Sequence, residues 1–161
     1  MMQLTTGRRF ARRGIGVALG SIAMFAAFVP GALAGGATVT RGDFQAFNGG
    51  YPEITGRAQM VRTADGKTIV TIHLEGLAPG TTYGSHVHAQ ACANGLADGH
   101  YRFNPAGAAA PPNEIWPGPV TANEAGIANG DTIAEGTAGA NAVSVVIHAP
   151  GGAKIACADL G

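Results

Sequence analysis

Short β-prone segments closed by turn signals predict an all-β antiparallel fold, either a sandwich or a Greek-key barrel. Residues 57–62 and 68–75 alternate in polarity and flank Ala64-Asp65-Gly66-Lys67, and Asp-Gly between two such runs signals a tight hairpin. Residues 143–148 form a β-branched run of the kind that fills a buried strand. Composition agrees: 26 glycines and only 6% aromatics suit short strands, tight turns and a modest core better than a helical bundle.

The chain begins with a separate segment. Residues 1–13 carry four arginines and no acid, residues 14–29 are apolar and uncharged, and Ala32-Leu33-Ala34 fits a small-x-small cleavage site. This is the layout of a secretory signal peptide, with an apolar core too short for a comfortable membrane span. It predicts cleavage after Ala34, a single domain over 35–161, a periplasmic or extracellular destination and no stable membrane insertion afterwards. Arg8-Arg9-Phe10 matches a twin-arginine signal only loosely, so ordinary export ranks first. Losing the leader arginines leaves six basic residues against ten acids, a net charge of about −4 without a basic run, which argues against a nucleic-acid partner. Nothing in the sequence specifies an oligomeric state.

In an exported chain the two cysteines, Cys92 and Cys157, read as one disulfide. It would close a loop of about 65 residues, stabilising the fold by roughly 4 kcal/mol on loop-closure entropy. A pair of metal thiolates is the weaker alternative, because neither cysteine has a neighbouring Cys or His at ligand spacing.

In chain order, residues 37–40 open the domain as a short strand, and 41–52 form a Gly- and Asn-containing loop. The hairpin follows. In its second strand Val70, Ile72 and Leu74 share one face while Thr71, His73 and Glu75 share the other, so His73 points outward beside charge and stays outside any site. Leu77-Ala78-Pro79-Gly80 turns the chain into the strand Tyr83-Gly84-Ser85-His86-Val87-His88. Side chains two apart on a strand share a face, so His86 and His88 converge as a ready-made pair of nitrogen ligands. His100 and His148 sit in polar-then-apolar contexts that could return to the same face. Residues 91–119 are a long excursion without periodicity, which is usually functional or disordered, and Gly99-His100-Tyr101 with the lone Trp116 argue for an ordered one. Residues 120–122 and 126–128 flank a turn, 143–148 end in His148, 149–153 turn on Pro-Gly-Gly, and 154–160 close the chain as a strand.

Gly84-Ser85-His86-Val87-His88, Cys92, Gly99-His100 with Phe103-Asn104-Pro105, Val145-Val146-Ile147-His148-Ala149 and Lys154-Ile155-Ala156-Cys157 together resemble the copper/zinc superoxide dismutase family. The segments fall in family order over most of the mature chain. The resemblance implies an eight-stranded Greek-key β-barrel with long loops, copper held by His86, His88, His100 and His148, and a Cys92–Cys157 disulfide. It also implies that His100 bridges and carries a proton, and that Lys154 stands where the family uses an anion-attracting Arg. A Lys keeps the charge but loses the planar fork.

Two departures narrow the resemblance. No histidine occurs between Tyr101 and Ile147, and Asn113 and Trp116 stand about where a zinc-binding His and Asp are expected. Only residues 149–153 separate His148 from the last strand, where the family has a long loop walling the substrate channel. Both losses are similar to the copper-only superoxide dismutases, implying copper without zinc and, by analogy, Glu114 as the acid that holds His100. The residue chemistry agrees: imidazole-only sites suit copper, which heads the divalent affinity order, and dismuting superoxide needs a one-electron metal. A blue-copper site would need a His-Cys-His set, and a hydrolytic zinc site would find a fourth histidine where its water belongs. The main competitor is a non-enzymatic exported copper-binding or copper-buffering protein on the same fold, with a metal-free structural sandwich behind it.

Overall fold

The computed structural model describes residues 36–47, 51, 53–93 and 96–161. The leader and its cleavage site after Ala34 lie outside the described residues. Among the described residues no helix is long and apolar enough to cross a membrane. These residues form nine strands: β1 (Thr38–Asp43), β2 (Gln45–Ala46), β3 (Thr55–Arg62), β4 (Thr68–Glu75), β5 (Thr82–His88), β6 (Val120–Thr121), β7 (Ala128–Ala134), β8 (Ser144–His148) and β9 (Lys154–Asp159). They pair antiparallel in two sheets, ordered β1-β3-β4-β7 and β2-β9-β8-β5-β6.

The expected hairpin joins β3 and β4 with Arg62 opposite Thr68. Gly66 takes φ of +87° there, a conformation Asp-Gly turns supply without steric cost. Alternation along both strands sends Ala58, Met60, Val70, Ile72 and Leu74 into the space between the sheets. From the other sheet Tyr83, Val87, Val145, Ile147 and Ala156 close the same core. All five residues of β8 are buried. The strand has core on one face and, on the other, a small cluster of Val146, Ala97 and Cys157 beneath the chain that follows β5.

The architecture departs from an eight-stranded closed barrel: the two sheets are open, of four and five strands. The chain passes from one sheet to the other by bending at buried Phe44 between β1 and β2, so the segment expected as a loop over 41–52 supplies the end of one strand and all of another. At this seam Arg41 and Gly161 exchange backbone hydrogen bonds (3.3 and 3.2 Å). Gly42 lets the carbonyl of Asp159 approach where any Cβ would lie 1.9 Å from it. The opposite seam has no ladder between β6 and β7. β7 starts at the end of the 126–128 segment that flanks the expected turn and runs on to Ala134 as an edge strand, with its Asn129-Gly130-Asp131 in extended pairing with Thr71–His73.

Candidate metal centre

The site is built on the outer face of the five-stranded sheet. Tyr83 and Val87 turn into the core, so His86 and His88 face outward. β8 is registered with Gly84 opposite His148 and His88 opposite Ser144, which brings His148 onto that face. A bulge after Ile147 then pairs His148 with Lys154 instead of Ile155. Ile155 stays in the core while Lys154 joins the outer face, the kind of re-aiming that bulges provide.

The described residues between 89 and 119 cover this face and deliver His100. The chain doubles back along β5 through Ala89 N–H to Gly99 O (3.0 Å) and Tyr101 N–H to Val87 O (2.8 Å), placing His100 across from His88. Buried Tyr101 and Ile115 anchor the loop in the core. The Cys92–Cys157 disulfide, the Cys92 N–H to Asp159 Oδ1 bond (2.8 Å) and the Ser144 hydroxyl on Gln90 O (2.7 Å) tie its start to β8 and β9. Asn113 staples the loop to itself, accepting from Asn104 N–H and donating to the carbonyls of Asn104 and Ala108.

The four histidine rings meet. Centroid separations are 4.2 Å for His86–His100, 4.7 Å for His86–His148 and 4.8 Å for His88–His100. One ring nitrogen from each lies within 4.8 Å of the others. Metal–imidazole bonds of about 2.0–2.1 Å put nitrogens of one coordination sphere at most about 4.2 Å apart, so a small inward shift of the rings suffices to hold an ion.

The hydrogen bonds decide which nitrogens are free. His88 Nδ1 meets the carbonyl of Ala97, His148 Nδ1 that of Gly152 (3.1 Å) and His100 Nδ1 the Oε2 of Glu114 (2.8 Å). Carbonyls and carboxylates only accept, so each Nδ1 carries the proton and each Nε2 keeps its lone pair. Nε2 of His88, Nε2 of His148 and Nδ1 of His86 are buried and have no hydrogen-bond partner among the described residues. Buried polar atoms are nearly always satisfied. Three orphaned nitrogens aimed at one place therefore fit a resident ion.

Electrostatics agree. Burial, reinforced by neighbouring histidines, pushes His86 and His88 down to about 3, against a hydrogen bond from His88 to Ala97 that acts the other way. Burial also lowers His148. Neutral imidazole is the form that ligates a metal.

Glu114 is buried, 3% exposed, and its Oε2 receives both His100 Nδ1 and Trp116 Nε1–H (2.8 Å each). Lys154 reaches the rim, donating to Ala97 O (3.3 Å) with Asp98 Oδ1 at 3.9 Å. The same carbonyl holds His88, so Lys154 also braces a ligand. Residue-by-residue reading misses three holders: the Ala97 and Gly152 carbonyls, which are backbone, and Trp116, which it takes as loop packing and as a departure from the expected zinc ligands. Its spacing of two from Glu114 was the available signal. The only other metal-ligating group among the described residues is Cys92, Cys157 and Asp159, and its sulfurs are joined in the disulfide. Compared with protein-family models and with curated proteins, the chain matches none.

Proposed function

We propose that this chain is an exported copper-dependent superoxide dismutase working without a zinc site, on a fold akin to the Greek-key barrel of that family. The observation that carries the reading is the set of orphaned, converging imidazole nitrogens on His86, His88 and His148, with His100 beside them. An all-imidazole donor set favours copper on the divalent affinity order. The sequence resemblance to copper-only superoxide dismutases and the disulfide, which fits an oxidising compartment, support the same reading.

Bound copper would supply the one-electron oxidation and reduction that convert two superoxide ions and two protons into dioxygen and hydrogen peroxide. The protein's part falls to its own residues. His88 and His148, fixed by backbone carbonyls, are the rigid holders. His100 is partly exposed, so its Nε2 can take up a proton from solvent and then pass that proton to a reduced oxygen species. Glu114 keeps that ring oriented. The Lys154 ammonium makes the rim attractive to an anion, although its hydrogen bond to Ala97 O and the nearby Asp98 carboxylate restrain it.

That restraint is what favours the second reading, a non-enzymatic copper-binding or copper-buffering protein. The mature protein loaded with mixed metals should retain about one copper per chain and almost no zinc by elemental analysis. It should remove superoxide catalytically in a stopped-flow assay, and His148→Ala should abolish this. A fully copper-loaded protein with negligible dismutation would overturn the enzyme in favour of buffering, and folded protein that takes up no copper would overturn both.

A further inference from the structure

We propose that Trp116 is a positioning residue of the metal centre: it holds Glu114 against His100 and so keeps His100 in the ligand set. The inference rests on the copper reading above but concerns a residue that reading does not use.

The four histidines are held in two different ways. His88 and His148 lean on backbone carbonyls, which the folded chain fixes in place. His100 leans on a side-chain carboxylate, which has three rotatable bonds and needs a holder of its own. Trp116 supplies it, because the indole N–H donates to the same Oε2 that receives His100, each at 2.8 Å. Around Glu114 the backbone is pinned by its bridge to Arg102 and by its N–H to Ala110 O (3.1 Å). The indole also stands beside His86, with ring centroids 4.9 Å apart. Trp116 therefore spans His86 and His100, the closest ring pair of the cluster and its two less buried members. A rigid indole with only two side-chain torsions is suited to this work.

The test is a double-mutant cycle with Cu2+ on the metal-free mature protein, using wild type, Trp116→Phe, Glu114→Leu and the double variant. Phe keeps an aromatic ring beside His86 and removes the N–H donor, together with part of the indole's bulk. Partners that orient a ligand typically cost about 10–100-fold in metal affinity when lost. Trp116→Phe should therefore weaken copper binding about 10-fold and alter the Cu(II) EPR spectrum. In the Glu114→Leu background the same change should cost less than about 2-fold. Wild-type affinity and spectrum in Trp116→Phe, or an equal loss with and without Glu114, overturns the proposal while leaving the copper site standing. A wild type that binds no copper overturns the copper reading itself. If Trp116→Phe does not fold, the single tryptophan serves as its own probe. Cu2+ should quench its fluorescence in wild type, and Glu114→Leu should shift the emission of the metal-free protein. An unchanged spectrum in both measurements overturns the proposal.

Discussion

His73, on the outer face of β4, stands exposed with Nδ1 2.8 Å from Asn129 Oδ1 and Nε2 3.0 Å from Glu75 Oε1. His86 and His88, on the outer face of β5, lie under a loop, and each has one ring nitrogen with no partner among the described residues. The hydrogen bond to Asn129, followed by that to Glu75, raises the pKa of His73, whereas burial lowers those of His86, His88 and His148. Both strands use the same two-residue alternation to send histidine outward. The difference is what lies above the sheet. The described residues between 89 and 119 strip water from one face and bring His100 to it, while the other face stays wet. Strand pattern gives a histidine its direction, and the covering chain gives it its chemistry.

Acid should break the contrast most severely. In the metal-free protein the covered histidines are neutral when folded and protonate freely when unfolded. From pH 6.5 down towards about 3 the unfolded chain therefore binds more protons, and stability falls as pH falls. Melting temperatures of the metal-free protein by circular dichroism should drop steadily through that window, with a shallower slope in His88→Leu. A profile indifferent to pH would mean that the cover does not desolvate the cluster.

Removing the tie that holds the cover down comes next. Cys92→Ser with Cys157→Ser opens a loop spanning 65 residues, and losing such a bridge from a small secreted domain costs roughly 2–5 kcal/mol. Denaturant unfolding should show that loss, with copper binding weakened alongside it because the same bridge ties Cys92, at the start of the covering segment, to β9. Stability lost without any change in copper affinity would separate the cover from the site. A smaller effect is expected from Glu114→Gln, which leaves the fold intact but weakens copper retention by roughly 10–100-fold in chelator competition.

The sequence speaks most clearly where one strand carries the information. His86 and His88 follow from spacing alone, and the β3–β4 hairpin from its Asp-Gly turn. His100 and His148 could be assigned to the same face only through their order along the chain and a family resemblance, because their meeting depends on the β5–β8 register and on a loop without periodicity. Glu114 had the same standing. β7 has little sequence signal because Asn129-Gly130-Asp131 is poor in strand-forming residues, yet one well-formed neighbour, β4, is enough to keep an edge strand extended. The carbonyls of Ala97 and Gly152 have no sequence signature, since every residue carries one. The bulge that brings Lys154 beside His148 is likewise a property of two strands together.

The smallest expected effect belongs to His73, and it tests the comparison from the other side. His73→Gln should change stability by no more than about 0.5 kcal/mol, as surface substitutions usually do, and should leave copper affinity untouched. Its residual contribution should run opposite to that of the cluster. The folded pKa is raised, so the stabilisation is fully present below the unfolded value of 6.5 and is lost as pH rises through the folded value. Comparing wild-type and His73→Gln melts below pH 6.5 with melts at alkaline pH should show the larger difference on the acid side, where the covered histidines destabilise the same protein. If His73→Gln altered copper binding, the two faces would be coupled through the core between them. Direction and cover would then no longer be separable causes.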